Sequence, residues 1–395
     1  MTRSPWNQVA LMDLCNPKQW PTISGQDLTP AGFPVYGANG RIGFYSEYNH
    51  EESTILVACR GATCGAINVC EPRSYVTGNA MALDDLDSSR VDFRFMVHAL
   101  IARGFDDAIT GTAQPQITRE SLRRVKVPVP PLPEQRRIAD ILDKADAIRR
   151  KRKEAIALTE ELLRSAFLEM FGDPVTNPKG WEVRPFDSLV QKTQLGLVRA
   201  ASEQGSDRAF PYVRMNAIRD DGHLDLRGVT RVDASEAELK SMRLVDGDFL
   251  FNTRNSKELV GKAAVFHEDG DYVFNNNIMR VQFKESIEPD FICSYWQTKA
   301  AQRDLDARKA GTTSVFAIYY KNLATLPVPV PPCAVQRRYG ELCASIRKNL
   351  RMHHSAEVAA ADLFDSLVHR AFHGELTQLN WTSKSQLGLF DVGNK

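Results

Sequence analysis

The chain has 395 residues, 43% hydrophobic and 25% charged, with a formal net charge of +1 at pH 7. This composition fits a globular protein of two or three domains and argues against a disordered or collagen-like chain. No run of about 18 apolar residues occurs, so no membrane partner is expected, and the near-neutral charge restricts any nucleic-acid contact to local patches. The opening "MTRSPWNQVALMDLCN" lacks an apolar leader core, and seven scattered cysteines suit a reducing compartment; both point to the cytoplasm.

Residues 1–126 read as a compact mixed unit. "STILVACRG" (Ser53–Gly61), "GAINVC" and "YVTGNAMAL" have the branched, alternating character of short strands, and "DFRFMVHALIARG" reads as a helix beside them. The turns between them carry candidate contact residues: Tyr36, Asn39, Arg41 and Tyr45, then Arg60, Thr63 and Asn79, then Gln114 and Gln116. Segment 127–175 opens with "VPVPPLPEQRR", Val127 to Arg137, and continues as one long helix without interior Gly or Pro. Pro133 and Glu134 suit the first turn, and Gly172 and Pro174 stop the helix. Ile138, Ile141, Ala145, Ile148, Arg152, Ala155, Thr159, Leu162 and Ala166 step by three and four as one stripe, mostly apolar, along about 57 Å.

Residues 176–327 repeat the plan. "GDFLFNTRNS", "GKAAVF" and "YVFNNNIMRVQF" read as strands, and "PDFICSYWQTKAAQRDLDAR" as helix. Candidate contacts here are Arg214 and Asn216, Arg254, Asn255 and Lys257, Asn275 and Asn276, and Thr312, Thr313 and Ser314 in "GTTSVF". Segment 328–376 opens with "VPVPPCAVQRR" and predicts a second helix, from about Ala334 to Phe372, striped by Leu342, Ile346, Leu350, Leu363 and Leu367. Residues 377–395 form a tail.

The duplication organises all of this. Gln135 recurs as Gln336, the Gly-Thr at Gly111 recurs at Gly311, and "WNQVALMDL" from Trp6 echoes "WEVRPFDSL" from Trp181. Ala166-Phe167 recurs as Ala371-Phe372 at a larger offset, so the second helix is expected to hold one extra turn. Each amphipathic helix needs a partner, and the other copy is the nearest. The expected fold class is α+β, two globular units joined by a pair of long antiparallel helices in a coiled-coil rod.

No catalytic constellation is legible. Ser256 stands where a P-loop before Gly261-Lys262 needs glycine, and neither a nucleophile elbow nor a zinc-protease helix occurs. Cys59, Cys64 and Cys70 near His50 match no familiar zinc spacing and read as small buried residues. The basic run Arg149–Lys153 reads as a solvated helix face, with phosphate or partner contact as its alternative. Arg, Asn and Gln can each make paired hydrogen bonds to a base edge, although the same residues form ordinary turns.

The proline phrase leading into a long helix, the helix ends "AFLEMFGDP" and "AFHGEL", and the duplication together resemble the specificity subunits of type I restriction–modification systems over nearly the whole length. Ala334-Val335 departs from the Pro-Glu pair of the first copy. The resemblance implies two target recognition domains, each reading half of a split double-stranded DNA target, with the helices holding partners. Those partners would be two methyltransferase subunits and restriction (motor) subunits. No cofactor is expected in this chain; S-adenosylmethionine, ATP and magnesium would belong to the partners. A methyltransferase-only system and a non-DNA scaffold remain as alternatives.

Overall fold

The computed structural model describes residues 6–111, 114–311 and 315–376. Contacts divide them into two compact units: one runs up to Lys153 and resumes at Ser355, the other is Glu154–His354. The division falls inside the two long helices, so each unit holds the first half of one helix and the second half of the other.

Each unit has the same main sheet. In the first, Asn16–Gln19, Ala80–Asp84, Ile55–Ala58 and Ile67–Val69 lie side by side in that order, all antiparallel. In the second, Val190–Leu195, Ile278–Phe283, Phe249–Asn252 and Ala263–Val265 repeat the order. Ile55–Ala58 and Phe249–Asn252 are buried along their whole length, which is why they read as continuous apolar runs rather than alternating ones. A smaller sheet in each unit contains one parallel pairing, Val35 with Tyr75 and Tyr212 with Val273. The strand echo at Trp6 and Trp181 has a physical meaning. Gln8–Ala10 pairs with Lys126–Pro128, and Glu182–Pro185 pairs with Pro327–Val330, so the start of each proline phrase is a strand. A two-stranded ribbon tolerates proline because it leaves one edge of each strand free of ladder bonds.

The long helices are Leu132–Phe171 and Cys333–Phe372, each 40 residues and so about 60 Å. Both ends keep the same spacing between copies, so the extra turn expected in the second helix is absent. The counterpart of Phe372 is Phe171 rather than Phe167. Phe372 lies 5.7 Å from Phe95 and Phe171 lies 4.7 Å from Phe291, each against the short helix of its own unit. Within each unit the helix halves pack in opposite directions. Ile156 meets Ile346 and Leu350 in the second unit, where Phe167 meets Tyr339; in the first, Ile138 and Leu142 cluster with Ala371. The basic run is solvated at Arg149, Arg150, Lys151 and Lys153, with Arg149 and Arg150 reaching back to Asp146 at 2.7 and 2.9 Å, whereas Arg152 is half-buried.

The repeated Gln-Arg-Arg has a structural role at its glutamine. Gln135 and Gln336 have no exposed surface. Gln135 Oε1 accepts from the Asp92 amide at 2.8 Å, and its Nε2 donates to the Pro130 and Arg90 carbonyls at 2.7 and 2.8 Å. Gln336 Oε1 accepts from the Glu288 amide at 3.0 Å, and its Nε2 donates to the Pro331 carbonyl at 2.7 Å. Asp92 and Glu288 are the residues that start the short helices Phe93–Arg103 and Pro289–Trp296. Each glutamine therefore fastens a long helix, its proline phrase and a helix of the globular part at one point.

Candidate nucleic-acid interface

At one end of each main sheet the chain makes the same hydrogen-bonded frame. In the first unit the Ala58 amide donates to Ala66, the Gly65 amide to Ala58, the Cys59 amide to Asn79 and the Ile117 amide to Cys59, at 2.8 to 3.2 Å. In the second, Asn252 donates to Lys262, Gly261 to Asn252, Thr253 to Asn277 and Ile318 to Thr253, at 2.8 to 2.9 Å. Gly65 and Gly261 close the two frames at φ +90° and +93°, a left-handed conformation that glycine adopts without strain. Residues 59–64 span the first frame and 253–260 the second, so the second stretch is two residues longer. The frames coincide while their contents differ.

Beside each frame stands a short hairpin. Thr110 pairs with Gln116, which also pairs with Arg60. Ala310–Gly311 pairs with Phe316–Ala317, which pairs with Arg254–Asn255. The described ends of "GTAQPQ" and "GTTSVF" thus do meet equivalent surroundings, while Thr112 and Ala113 lie outside the described residues. Thr312, Thr313 and Ser314 lie outside the described residues.

The frames put Arg60 and Arg254 at the same position, one residue after Cys59 and Thr253. Both are exposed, and neither side chain makes a hydrogen bond or ion pair among the described residues. Many other arginines of these units are paired: Arg73 with Glu51 at 3.2 Å, Arg208 with Asp233 at 2.9 Å, and Arg227 with Asp225 at 2.7 Å. An unpaired guanidinium at a loop start is available to a ligand.

The other sequence candidates fall into separate groups. In the first unit Thr63 donates its hydroxyl to Asn39, tying the tight turn between Phe33–Gly37 and Gly40–Tyr45 to the loop that carries Arg60. Asn79 and Gln116 join this group through the backbone, and Gln114 lies in the adjoining hairpin, where its carbonyl would meet a side chain at Gly111 at 2.6 Å. Tyr36 lies apart. Its ring is core, its hydroxyl donates to Glu71 at 3.2 Å, and Arg41 approaches the same carboxylate at 3.8 Å. Tyr45 packs edge-on against Tyr75 at 5.3 Å.

In the second unit Arg214 and Asn216 flank Met215, whose carbonyl accepts from Asn252 Nδ2 at 3.2 Å, so this turn lies against the frame. Asn252 is fully buried and its Oδ1 has no partner among the described residues. Asn255 Oδ1 caps the Ser256 amide at 2.8 Å, and the Lys257 carbonyl accepts from Lys309 at 2.7 Å while its side chain is exposed. Asn275 is fully engaged, donating to the Tyr212 hydroxyl at 2.9 Å and accepting from the Asn277 amide at 2.9 Å. Asn276 is half-buried, with its amide on Leu197. Sequence reading missed the equivalence of Arg60 and Arg254; its trace is an Arg before a Gly at nearly matched spacing, Arg60 to Gly65 and Arg254 to Gly261.

His50, beside the three cysteines, is bonded at both ring nitrogens, to Asn49 at 2.7 Å and Asp84 at 3.0 Å. Among the described residues no helix is long and apolar enough to cross a membrane.

Comparison with known proteins matches this duplication. The model of the type I restriction modification DNA specificity domain aligns twice, to residues 3–158 and 178–351. The chain belongs to that family. It is similar to the type I restriction enzyme EcoKI specificity subunit of Escherichia coli K12, 25% identical over 64% of the chain and 58% of that relative. The EcoprrI specificity subunit of Escherichia coli is 30% identical over 29% of the chain and 28% of its own length. The chain thus spans little more than half of the first relative and about a quarter of the second. Among solved structures, the S subunit of a type I restriction-modification system from M. genitalium superposes with a TM-score of 0.67 at 16% identity, over 94% of this chain and 97% of that one. That likeness concerns the fold: two α+β units with paired long helices. Family members carry this domain for DNA specificity, which gives the two frames their context.

Proposed function

We propose that this chain is the sequence-reading subunit of a cytoplasmic type I restriction–modification complex. Each globular segment, 1–126 and 176–327, reads one half of an asymmetric bipartite duplex target. Segments 127–175 and 328–376 space the readers and dock two methyltransferase subunits, which in turn engage restriction subunits. The unread gap is about one helical turn of DNA, roughly 34 Å. Adenine methylation with S-adenosylmethionine and cleavage driven by ATP with magnesium belong to those partners, and this chain contributes no catalytic group.

The observation that carries this reading is the pair of coincident frames holding unlike loops. Identical scaffolds with different contents are what two readers of two different half-sites require. Phosphate contacts would set register, and loop side chains at the base edges would set sequence.

Exchange of residues 1–126 for the matching segment of a relative tests it. The complex should then methylate a target with one altered half-site, read by mapping modified adenines in a host genome. If both halves change together, the units are not independent readers.

A further inference from the structure

Both loops can contact DNA, and the matching of the two frames separates their side chains into shared and differing groups. A guanidinium offers two parallel N–H donors that fit either a phosphate or the O6/N7 edge of guanine. Position decides between them. Arg60 and Arg254 occupy one place in the frame, are both exposed, and both lack side-chain partners among the described residues, although almost nothing else in the loops agrees. After Arg60 come Gly61, Ala62, Thr63 and Cys64; after Arg254 come Asn255, Ser256, Lys257, Glu258, Leu259 and Val260. A group shared by two readers of different sequences meets what any two half-sites have in common whatever their bases, and that is first the sugar–phosphate backbone. The residues that differ face what differs.

We propose that Arg60 and Arg254 are equivalent phosphate clamps, one per half-site, and that residues 61–64 and 255–259, which precede the buried Val260, carry the base discrimination. The proposal rests on the DNA-reading function given above. Backbone carbonyls from Cys59 and Thr253, held by Ile117 and Ile318, fix the point from which each arginine projects. The DNA strand is thereby registered against a loop whose length sets how far it reaches. The loop that is two residues longer would reach further past its clamp.

The test uses the full chain co-purified with its methyltransferase subunit, a random duplex library, and affinity for a selected and a scrambled duplex across a salt series. Arg60→Ala or Arg254→Ala should weaken both duplexes by the same factor, roughly tenfold, and flatten the log–log salt slope by about 0.9, the value for one phosphate. Both side chains are exposed and unpartnered among the described residues, so folding should be unaffected. The library consensus should not change, and Arg60→Lys should restore most of the slope. Replacing Gly61–Cys64 with Gly-Ser-Gly-Ser should do the reverse, blurring one half-site and leaving the slope intact. Loss of a guanine preference at one position in Arg60→Ala, with scrambled duplex unaffected, would overturn the clamp and make the arginine a base reader. A wild-type complex with the arginine-dependent slope but no enriched sequence keeps the clamp and overturns the specificity reading instead.

Discussion

Substituting Gln135 tests how the repeated proline phrase holds each unit together. Gln135→Leu keeps the volume of the side chain and deletes three hydrogen bonds: from the Asp92 amide at 2.8 Å, to the Pro130 carbonyl at 2.7 Å and to the Arg90 carbonyl at 2.8 Å. Pro130 is buried and its carbonyl loses its partner outright, which costs about 1–3 kcal/mol. The other two groups lie nearer solvent and recover part of their bonding from water, at about 1 kcal/mol each. The total is about 3–5 kcal/mol. For a unit of this size each kcal/mol lowers Tm by about 2–4 °C, so a fall on the order of 10 °C is expected. Gln336→Leu deletes two bonds and should cost less, about 2–4 kcal/mol. Gln135→Glu adds a pH signature. Its second oxygen faces two carbonyls in a site without solvent, so burial should push the new carboxyl above its ordinary value of about 4.3. The penalty is then small below that value, where protonation restores one donor, and grows as pH rises. Thermal unfolding at pH 4 to 8, with amide exchange at Asp92 and Glu288, reads all three variants. If Gln135→Leu melts within about 1 °C of the native chain and the Asp92 amide stays protected, the fastening role is refuted.

Other consequences follow from the frames and cores. Gly261→Ala forces an L residue to φ +93° and a Cβ to 3.3 Å from Ile318, so it should destabilise the second unit by about 1–2 kcal/mol in urea titration; Gly61→Ala, also at positive φ but with open space around it, should cost only the conformational part. Burial pushes the Cys15 and Cys343 thiols up to about 12 and raises Cys59, Cys70 and Cys293 as well. Native maleimide labelling should therefore reach the half-exposed Cys333 first and then Cys64, whose thiol burial also raises, with the other five reacting only in denaturant. For Asp290, burial opposes ionisation, but the His267 ring at 3.1 Å and the Arg347 guanidinium at 2.7 Å outweigh it and hold the carboxyl below the ordinary range. Its stabilisation is complete above about pH 3.9 and lost as pH falls through the lower folded value, so Arg347→Ala should cost about 2–3 kcal/mol at pH 7 and much less at pH 2 in chemical denaturation.

What the sequence disclosed, and what it hid, follows from the range of the interactions involved. The two 40-residue helices were legible because an uninterrupted apolar stripe without Gly or Pro is a local property. The extra turn was misread from Ala166-Phe167 and Ala371-Phe372, since a dipeptide match inside a helix carries no register; the buried contacts of Phe171 and Phe372 with the short helices do. The role of Gln135 was hidden because its partners, Asp92 and Arg90, lie over forty residues away in sequence. Tyr36 looked like an exposed turn residue beside "GANG", yet the parallel pairing of its strand with Tyr75–Val76 turns its ring into a core. Asn275 looked free in an Asn run, but a strand end needs such side chains to satisfy its own amides. The match of Arg60 with Arg254 could not be read by a fixed offset, because segments of unequal length separate each arginine from its proline phrase.

The most direct measurement of the central claim is selection of bound duplexes from a random library by the full chain with its methyltransferase subunit, followed by sequencing. Two coincident frames with unlike loops predict two short, different blocks of defined sequence separated by a gap of fixed length and no preference within it. A single contiguous block, two identical blocks, or no enrichment at all would contradict it.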